Sequence, residues 1–398
     1  LPAGVEVREL SLKGDGAALD LSASQKGTRW DVAGASLRWG PFALKASGSA
    51  DTGGRGALDM KVHLDPASLS ELAKLAPAAG AYKPTGTVSA DVTVKGTPAA
   101  PAPSGRVTLS GAGAETQGQK LSGVGGTVTL GPDSAAGALS GKLNGTAFEV
   151  KLDGKDLRLS PQLRVDAHIA KLDLAALPSG KKEEPKAGEK PAPAPKKAAP
   201  GTPFRLQGTF SAGAVSHPKF EAGAAKVVVD LRGAGSDIGS LDGTVSLRVG
   251  AGRFQDLRGL GSDKPLLKAL LFPVILLQKT AALVKVPFFP RFDTFDFSSI
   301  SGDYAIKAGV LTVRQSRLDG KEAQADLTGT ADLVKGPLAM RAQVRLPRAG
   351  TVAFKVHGTV DQPAVSLDVK SLLEQPEVKK AVDKTLQQGV EMLKGLFH

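Results

Sequence analysis

Apolar and polar residues alternate one by one in several segments of the chain, which is the spacing of a β-strand with two unlike sides. In residues 338–346 (LAMRAQVRL), one side of the strand carries Leu338, Met340, Ala342, Val344 and Leu346. In residues 243–250 the apolar side carries Val245, Leu247 and Val249, and in residues 352–360 it carries Val352, Phe354, Val356 and Val360. Alternation with period two predicts strands with one dry face and one wet face.

Turn signals and repeated sequence patterns indicate that these strands form a regular array. Asn144-Gly145 lies between two alternating runs and predicts a two-residue hairpin turn. Residues 57–72 and 162–177 share one pattern, a strand that ends in Leu-Asp followed by a short apolar turn of helix. Repeated units stack on their neighbours. We therefore predict a mainly β fold, an elongated, repetitive antiparallel sheet with short helices.

Two segments have helical spacing instead. Residues 264–286 combine Leu, Ala, Val and Lys, and Pro273 is expected to kink this helix. Residues 371–397 begin with the capping spacing of Ser371 and Glu374. They predict a C-terminal amphipathic helix, whose apolar side carries Val378, Val382, Leu386, Val390, Leu393 and Phe397. Such a helix could plug the end of the sheet, as open repeat arrays require, or contact a membrane or an envelope protein partner.

One segment of unusual composition divides the chain. Residues 179–203 consist largely of Pro, Lys, Glu and small apolar residues. Such a segment cannot bury enough surface to offset the entropy lost on ordering, so we predict an extended disordered linker or loop. It separates an N-terminal β-groove module, residues 1–178, from a C-terminal β module, residues 204–398, which contains both predicted helices.

Composition and charge narrow the possible partners. The 398 residues carry a net charge of +12, but Lys and Arg are scattered, and the two Trp and two Tyr do not recur within a basic motif. We therefore expect no nucleic acid partner. The chain has no Cys, which excludes disulfides and thiolate chemistry. The longest apolar stretch, residues 269–277, is shorter than a spanning helix and suits a buried or interfacial one. Because the sequence begins with Leu1, we expect a fragment without its own N-terminus.

Patterns typical of catalytic sites do not occur in the sequence. The five His are isolated, and there is no HExxH, no pair of His at ligand spacing, no P-loop and no Gly-x-Ser-x-Gly elbow. Two distant carboxylates can still meet in a fold, so glycosidase chemistry stays formally open. We expect no enzymatic activity, no metal site and no cofactor.

The order of several short motifs near the C-terminus resembles the AsmA family. Residues 292–313 give a Phe-rich start and a strand pair, residues 317–334 give a Gly-x-x-Asp-Leu turn, and residues 358–363 (GTVDQP) precede VSLDVKSLL and the terminal helix. The matching positions are Ile306, Gly309, Leu311, Gly329, Asp332 and Leu333. The resemblance covers about residues 290–398, and more loosely 1–178. It implies a periplasmic protein whose long, curved antiparallel sheet forms an open groove with an apolar interior, anchored to the inner membrane by an N-terminal helix that this chain does not contain.

The resemblance also implies a function. Its partners would be phospholipid or another acyl lipid and the inner and outer membranes, and its role would be phospholipid transport between them and outer-membrane homeostasis. The candidate groove-lining residues are Val245, Leu247, Val249, Leu338, Met340, Val344, Leu346, Val352, Phe354 and Val356. For each residue, packing in an ordinary sheet core is an equally open interpretation. The alternative function is a scaffold or assembly factor for outer-membrane protein biogenesis, because exposed sheet edges can pair with another chain.

Overall fold

The chain is mainly β, as predicted, and divides into two compact units. The computed structural model describes residues 4–14, 17–40, 42–54, 56–75, 80–116, 118–176, 201–255, 294–334, 336–347, 350–359 and 363–368. Unit 1 comprises residues 1–172 and 202–213, and unit 2 comprises residues 173–201 and 214–398. The predicted modules differ from this division mainly in residues 204–213, which group with the N-terminal unit. Most of the predicted linker, residues 179–200, lies outside the described residues.

Unit 1 is an antiparallel meander in which each of the first ten strands pairs with the next along the chain. The strands are β1 (Glu6–Gly14), β2 (Ala17–Lys26), β3 (Arg29–Trp39), β4 (Phe42–Asp51), β5 (Ala57–Ser68), β6 (Thr85–Thr97), β7 (Ala100–Thr116), β8 (Gln119–Gly131), β9 (Ser134–Leu143), β10 (Thr146–Lys155) and β11 (Gln162–Asp173). The helix α1 (Leu69–Leu75) connects β5 to β6. A further strand, β12 (Pro203–His217), contains residues of both units.

Unit 2 contains antiparallel strands around a buried apolar core. The strands are β13 (Phe220–Ala222), β14 (Ala225–Ala234), β15 (Asp237–Val249), β16 (Gly252–Phe254), β17 (Phe295–Lys307), β18 (Val310–Gly320), β19 (Gln324–Asp332), β20 (Leu338–Leu346), β21 (Gly350–Gly358) and β22 (Pro363–Leu367). Phe220, Phe254 and Phe297 form an aromatic cluster with ring centroids 4.8 to 5.9 Å apart. Large buried aromatic side chains supply much of the apolar area in a core.

Two connections between strands have the backbone conformation of a two-residue hairpin turn. Asn144 and Gly145 form the two-residue connection of the β9–β10 hairpin, and both have positive φ, 50° and 83°. This confirms the predicted hairpin, since such turns require positive φ at both central positions. Ala308 and Gly309 form a second connection of this kind between β17 and β18, where Ile306 pairs with Leu311.

The prediction of a strand followed by a helical turn is correct for the first copy of the repeated pattern and partly wrong for the second. Residues 57–72 form β5 and the start of α1. Residues 162–173 form β11, but residues 174–176 make a bend and not a helical turn. Here the carboxylate of Asp173 accepts a hydrogen bond from the backbone N–H of Ala175 at 2.9 Å, a local turn that competes with helix. The predicted helices 264–286 and 371–397 lie outside the described residues. The open-groove shape also stays a prediction.

Candidate functional site on the apolar face of unit 1

The predicted groove-lining residues are core residues of unit 2. They lie on β15, β20 and β21, and nine of the ten are buried. Val344 and Phe354 are both 0% exposed, so their side chains have no surface left for a ligand. Val245 alone is half-buried. The predicted alternation itself is confirmed, because buried and exposed residues alternate along the whole of β20.

A continuous apolar face instead runs across unit 1. One residue from each strand follows the next in hydrogen-bonded register, with no polar side chain in the row. The row comprises Leu12, Leu19, Leu37, Leu44, Leu64, Ala90, Val107, Val128, Gly137, Leu152 and Val165. A second row beside it comprises Leu10, Leu21, Ala35, Ala46, Val62, Val92, Gly105, Leu130, Ala135, Gly154 and Leu163. We call the surface that contains both rows the apolar face.

The apolar face of unit 1 is only partly covered. Among the described residues of this unit, Val124 is the only apolar residue larger than Ala that is buried. The Leu and Val side chains of the two rows are half-buried through the middle strands, and at the β1 edge they become exposed, with Leu12 at 55%. A packed two-layer sheet would bury these positions as unit 2 does. The apolar face therefore offers a broad surface on which hydrocarbon could be removed from water.

The opposite face of unit 1 is polar and carries charges of both signs. One register row on it comprises Ser11, Asp20, Ser36, Lys45, His63, Asp91, Arg106, Thr129, Ala136, Asp153 and Arg164. A hollow of about 740 Å³ is lined by residues of both faces on β1 to β7, including the polar Asp20, His63 and Asp91 and the apolar Leu21, Val62 and Val92 of the second apolar row. The second apolar row therefore contributes to the lining of this hollow.

His63 is held at the centre of this polar row by two carboxylates. Its Nδ1 lies 2.5 Å from Asp91 Oδ1 and its Nε2 lies 3.0 Å from Asp65 Oδ1. Only the imidazolium form can donate from both ring nitrogens at once. The hydrogen bond with Asp91, followed by that with Asp65, raises the pKa of His63 above its ordinary value.

We expect unit 1 to lose stability as the pH rises through the pKa of folded His63. A pKa raised on folding contributes stability that is fully present below the unfolded value of about 6.5 and is lost as the folded group deprotonates. Thermal unfolding measured between about pH 6 and pH 8 tests this. The difference between the wild type and His63→Gln should shrink toward the alkaline end. A difference that stays constant across this range would contradict the assignment.

Sequence reasoning predicted a β-groove module over residues 1–178 but named none of the residues that form its apolar face, for an identifiable reason. Bulges interrupt the alternation within several strands of unit 1, between Val32 and Ala35, between Leu64 and Ala67, and between Leu109 and Ala112. Each bulge shifts which residues face one side. Alternation was visible within single strands, such as residues 58–64 on β5 and residues 148–153 on β10, but it did not show that these strands share one apolar face.

Comparisons with known proteins add no functional assignment. No family model, no curated protein and no solved structure matches the chain. Across the described residues, no helix is long and apolar enough to cross a membrane. Nor do the residues described in the structure include a group of three His, Asp or Glu side chains arranged to hold a metal ion.

Proposed function

We propose that the protein binds the acyl chains of lipids along the apolar face of unit 1. The observation that carries this proposal is the register, since the first row contains an apolar residue or Gly on each of eleven consecutive strands. Such a row presents no hydrogen-bonding side chain, and hydrocarbon is the ligand class that needs none. In the cell this activity would serve phospholipid transport between the inner and outer membranes, with the protein acting in the periplasm as an AsmA-like protein.

The dimensions of the rows suit acyl chains. Neighbouring strands lie about 4.8 Å apart, so a row that crosses eleven strands spans roughly 48 Å. Half of a bilayer core is about 15 Å thick, so a row has room for several acyl chains in succession. Each methylene removed from water contributes up to about 0.8 kcal/mol. Because successive Leu and Val side chains offer similar contacts, movement along a row would meet low barriers.

The charge arrangement on the other face also supports this orientation. His63 pairs with Asp65 and Asp91, and Lys45 Nζ lies 4.0 Å from Asp65 Oδ2. Charged side chains that remain at least partly exposed keep most of their hydration and cost little. The polar face would therefore remain in water while the apolar face holds lipid.

The alternative role as a scaffold for outer-membrane proteins has weaker support. It requires a sheet edge that accepts a client strand, and β1 pairs only with β2 in the part of the chain that the structure describes. However, β1 carries Glu6, Arg8, Glu9 and Lys13 and has an irregularity between Val7 and Leu10. Charges and bulges are the features that discourage edge pairing.

The proposal is tested by native mass spectrometry of the purified full chain, with lipid extraction from the same sample. We expect protein ions that carry additional mass equal to one or more acyl lipids, and extracts enriched in phospholipid. A chain that is free of lipid after mild purification, and that takes up none from added phospholipid, would refute the proposed function.

A further inference from the structure

One end of unit 1 concentrates exposed aromatic and aliphatic side chains. This end contains the connections between β1 and β2, β3 and β4, and β5 and β6, and we call it the Trp39 end. Trp39 and Phe42 form the last register pair of β3 and β4, with ring centroids 6.4 Å apart. Trp39 is 43% exposed, and Tyr82, which precedes β6 at the same end, is 52% exposed. Exposed large apolar groups gathered at one place indicate an interaction site.

The neighbouring apolar residues extend this exposed surface onto the apolar face. Leu12 and Leu37 lie one row inward from Trp39 and are 55% and 40% exposed. They belong to the first apolar row, which continues from them across the unit. The exposed cluster is therefore contiguous with the surface that the proposed function assigns to acyl chains.

Cationic side chains accompany the aromatic cluster. Lys13 and Arg38 both pair with Ala18, so they lie on either side of it in one register row of the polar face, one residue from the tip. Both side chains are exposed. The tip thus combines aromatic rings on one side with two cations on the other.

We propose that the Trp39 end docks onto the surface of a phospholipid bilayer. Trp and Tyr side chains settle at the boundary between headgroups and hydrocarbon, because each combines an apolar ring with a polar N–H or O–H group. The ring of Phe42 would add apolar area beside them. Lys13 and Arg38 would then meet lipid phosphates, with a preference for anionic membranes. This inference rests on the proposed function and extends it by naming the place where lipid passes between a bilayer and the apolar face. Docking itself does not require that lipid is bound to the apolar face.

The test uses the full chain and vesicles of phosphatidylcholine, with and without phosphatidylglycerol. Because the chain has two Trp, Trp30→Phe leaves Trp39 as the only indole, and its emission should shift to shorter wavelength on vesicle binding. Trp39→Phe leaves Trp30 as the reporter, and its emission should change little. Equal shifts of both reporters, or no shift of Trp39, would overturn the proposal.

Vesicle flotation gives the second readout. We expect Trp39→Ala with Phe42→Ala to weaken vesicle binding at least tenfold, which corresponds to about 1.4 kcal/mol. Lys13→Gln and Arg38→Gln should each weaken binding to anionic vesicles about fivefold. Leu159→Ala is the matched control, since Leu159 is 80% exposed at the opposite end of unit 1. An equal loss in that control would contradict docking through the Trp39 end. Lipid content measured by mass spectrometry stays a separate test of the apolar face.

Discussion

Two carboxylates placed in the apolar face should deplete the purified protein of bound lipid. In the variant Val92→Glu with Val128→Glu, both substitutions fall within the two apolar rows, on β6 and β8. A carboxylate in contact with hydrocarbon loses hydration without gaining a partner, which is costly. We expect at least a tenfold reduction in lipid retained per protein, equivalent to about 1.4 kcal/mol or more, measured by lipid extraction and native mass spectrometry.

Adjacent residues of the same strands provide the matched control. Thr93 and Thr129 are β-branched like Val but lie on the polar face, opposite to Val92 and Val128. The variant Thr93→Glu with Thr129→Glu adds the same charge to the same strands and should retain lipid at the wild-type level. Thermal unfolding of both variants monitors the fold. If the two variants lose lipid equally, binding does not depend on which face carries the charge, and the proposed site is incorrect.

Phe354→Ala should destabilise unit 2 far more than Phe148→Ala destabilises unit 1. Phe354 is 0% exposed and pairs with Ala342 on β20 and Leu367 on β22. Deleting a fully buried Phe side chain costs about 3–5 kcal/mol, because it removes apolar burial and leaves a cavity. Phe148 lies on the apolar face of unit 1 and is only half-buried. Its replacement should cost roughly 1–1.5 kcal/mol, about half of the free energy of full burial.

Denaturant unfolding followed by amide hydrogen exchange measures the two effects separately. Exchange of the β20 and β21 amides should accelerate strongly in Phe354→Ala, while exchange of the β9 and β10 amides should change modestly in Phe148→Ala. The comparison tests the claim that the apolar face of unit 1 is not a packed core. Equal losses of stability would mean that Phe148 is packed as tightly as Phe354, and the apolar face would then have no vacancy for lipid.

The strand content of the fold follows from alternation that is visible in the sequence. Leu338 to Leu346 alternate without interruption, and the structure places every second one of these residues in the core of unit 2. Asn144-Gly145 also predicted its hairpin correctly, because few dipeptides accept positive φ at both positions. Local patterns of this kind depend on neighbours in sequence and can be interpreted from one chain.

The location of the candidate site could not be predicted in the same way. Alternation is regular both in β20, whose apolar side is fully buried, and in β10, whose apolar side is largely half-buried, and the choice of Val344 and Phe354 selected core residues. The apolar face of unit 1 emerges only when the register aligns residues from many strands, such as Leu64 with Ala90 and Ala90 with Val107. Bulges change the register along the way. Whether a second layer covers a face is a tertiary property that alternation does not encode.

Photocrosslinking from single positions on either face is the most direct test of the account. A photoreactive amino acid at Val128 should give adducts with lipid when cells are irradiated, whereas the same group at Thr129 should give few or none. These two residues are adjacent on β8 and point to opposite faces. Lipid adducts at Val128 alone are the predicted result. Adducts with protein only, or equal lipid labelling at both positions, would contradict the binding of lipid to the apolar face.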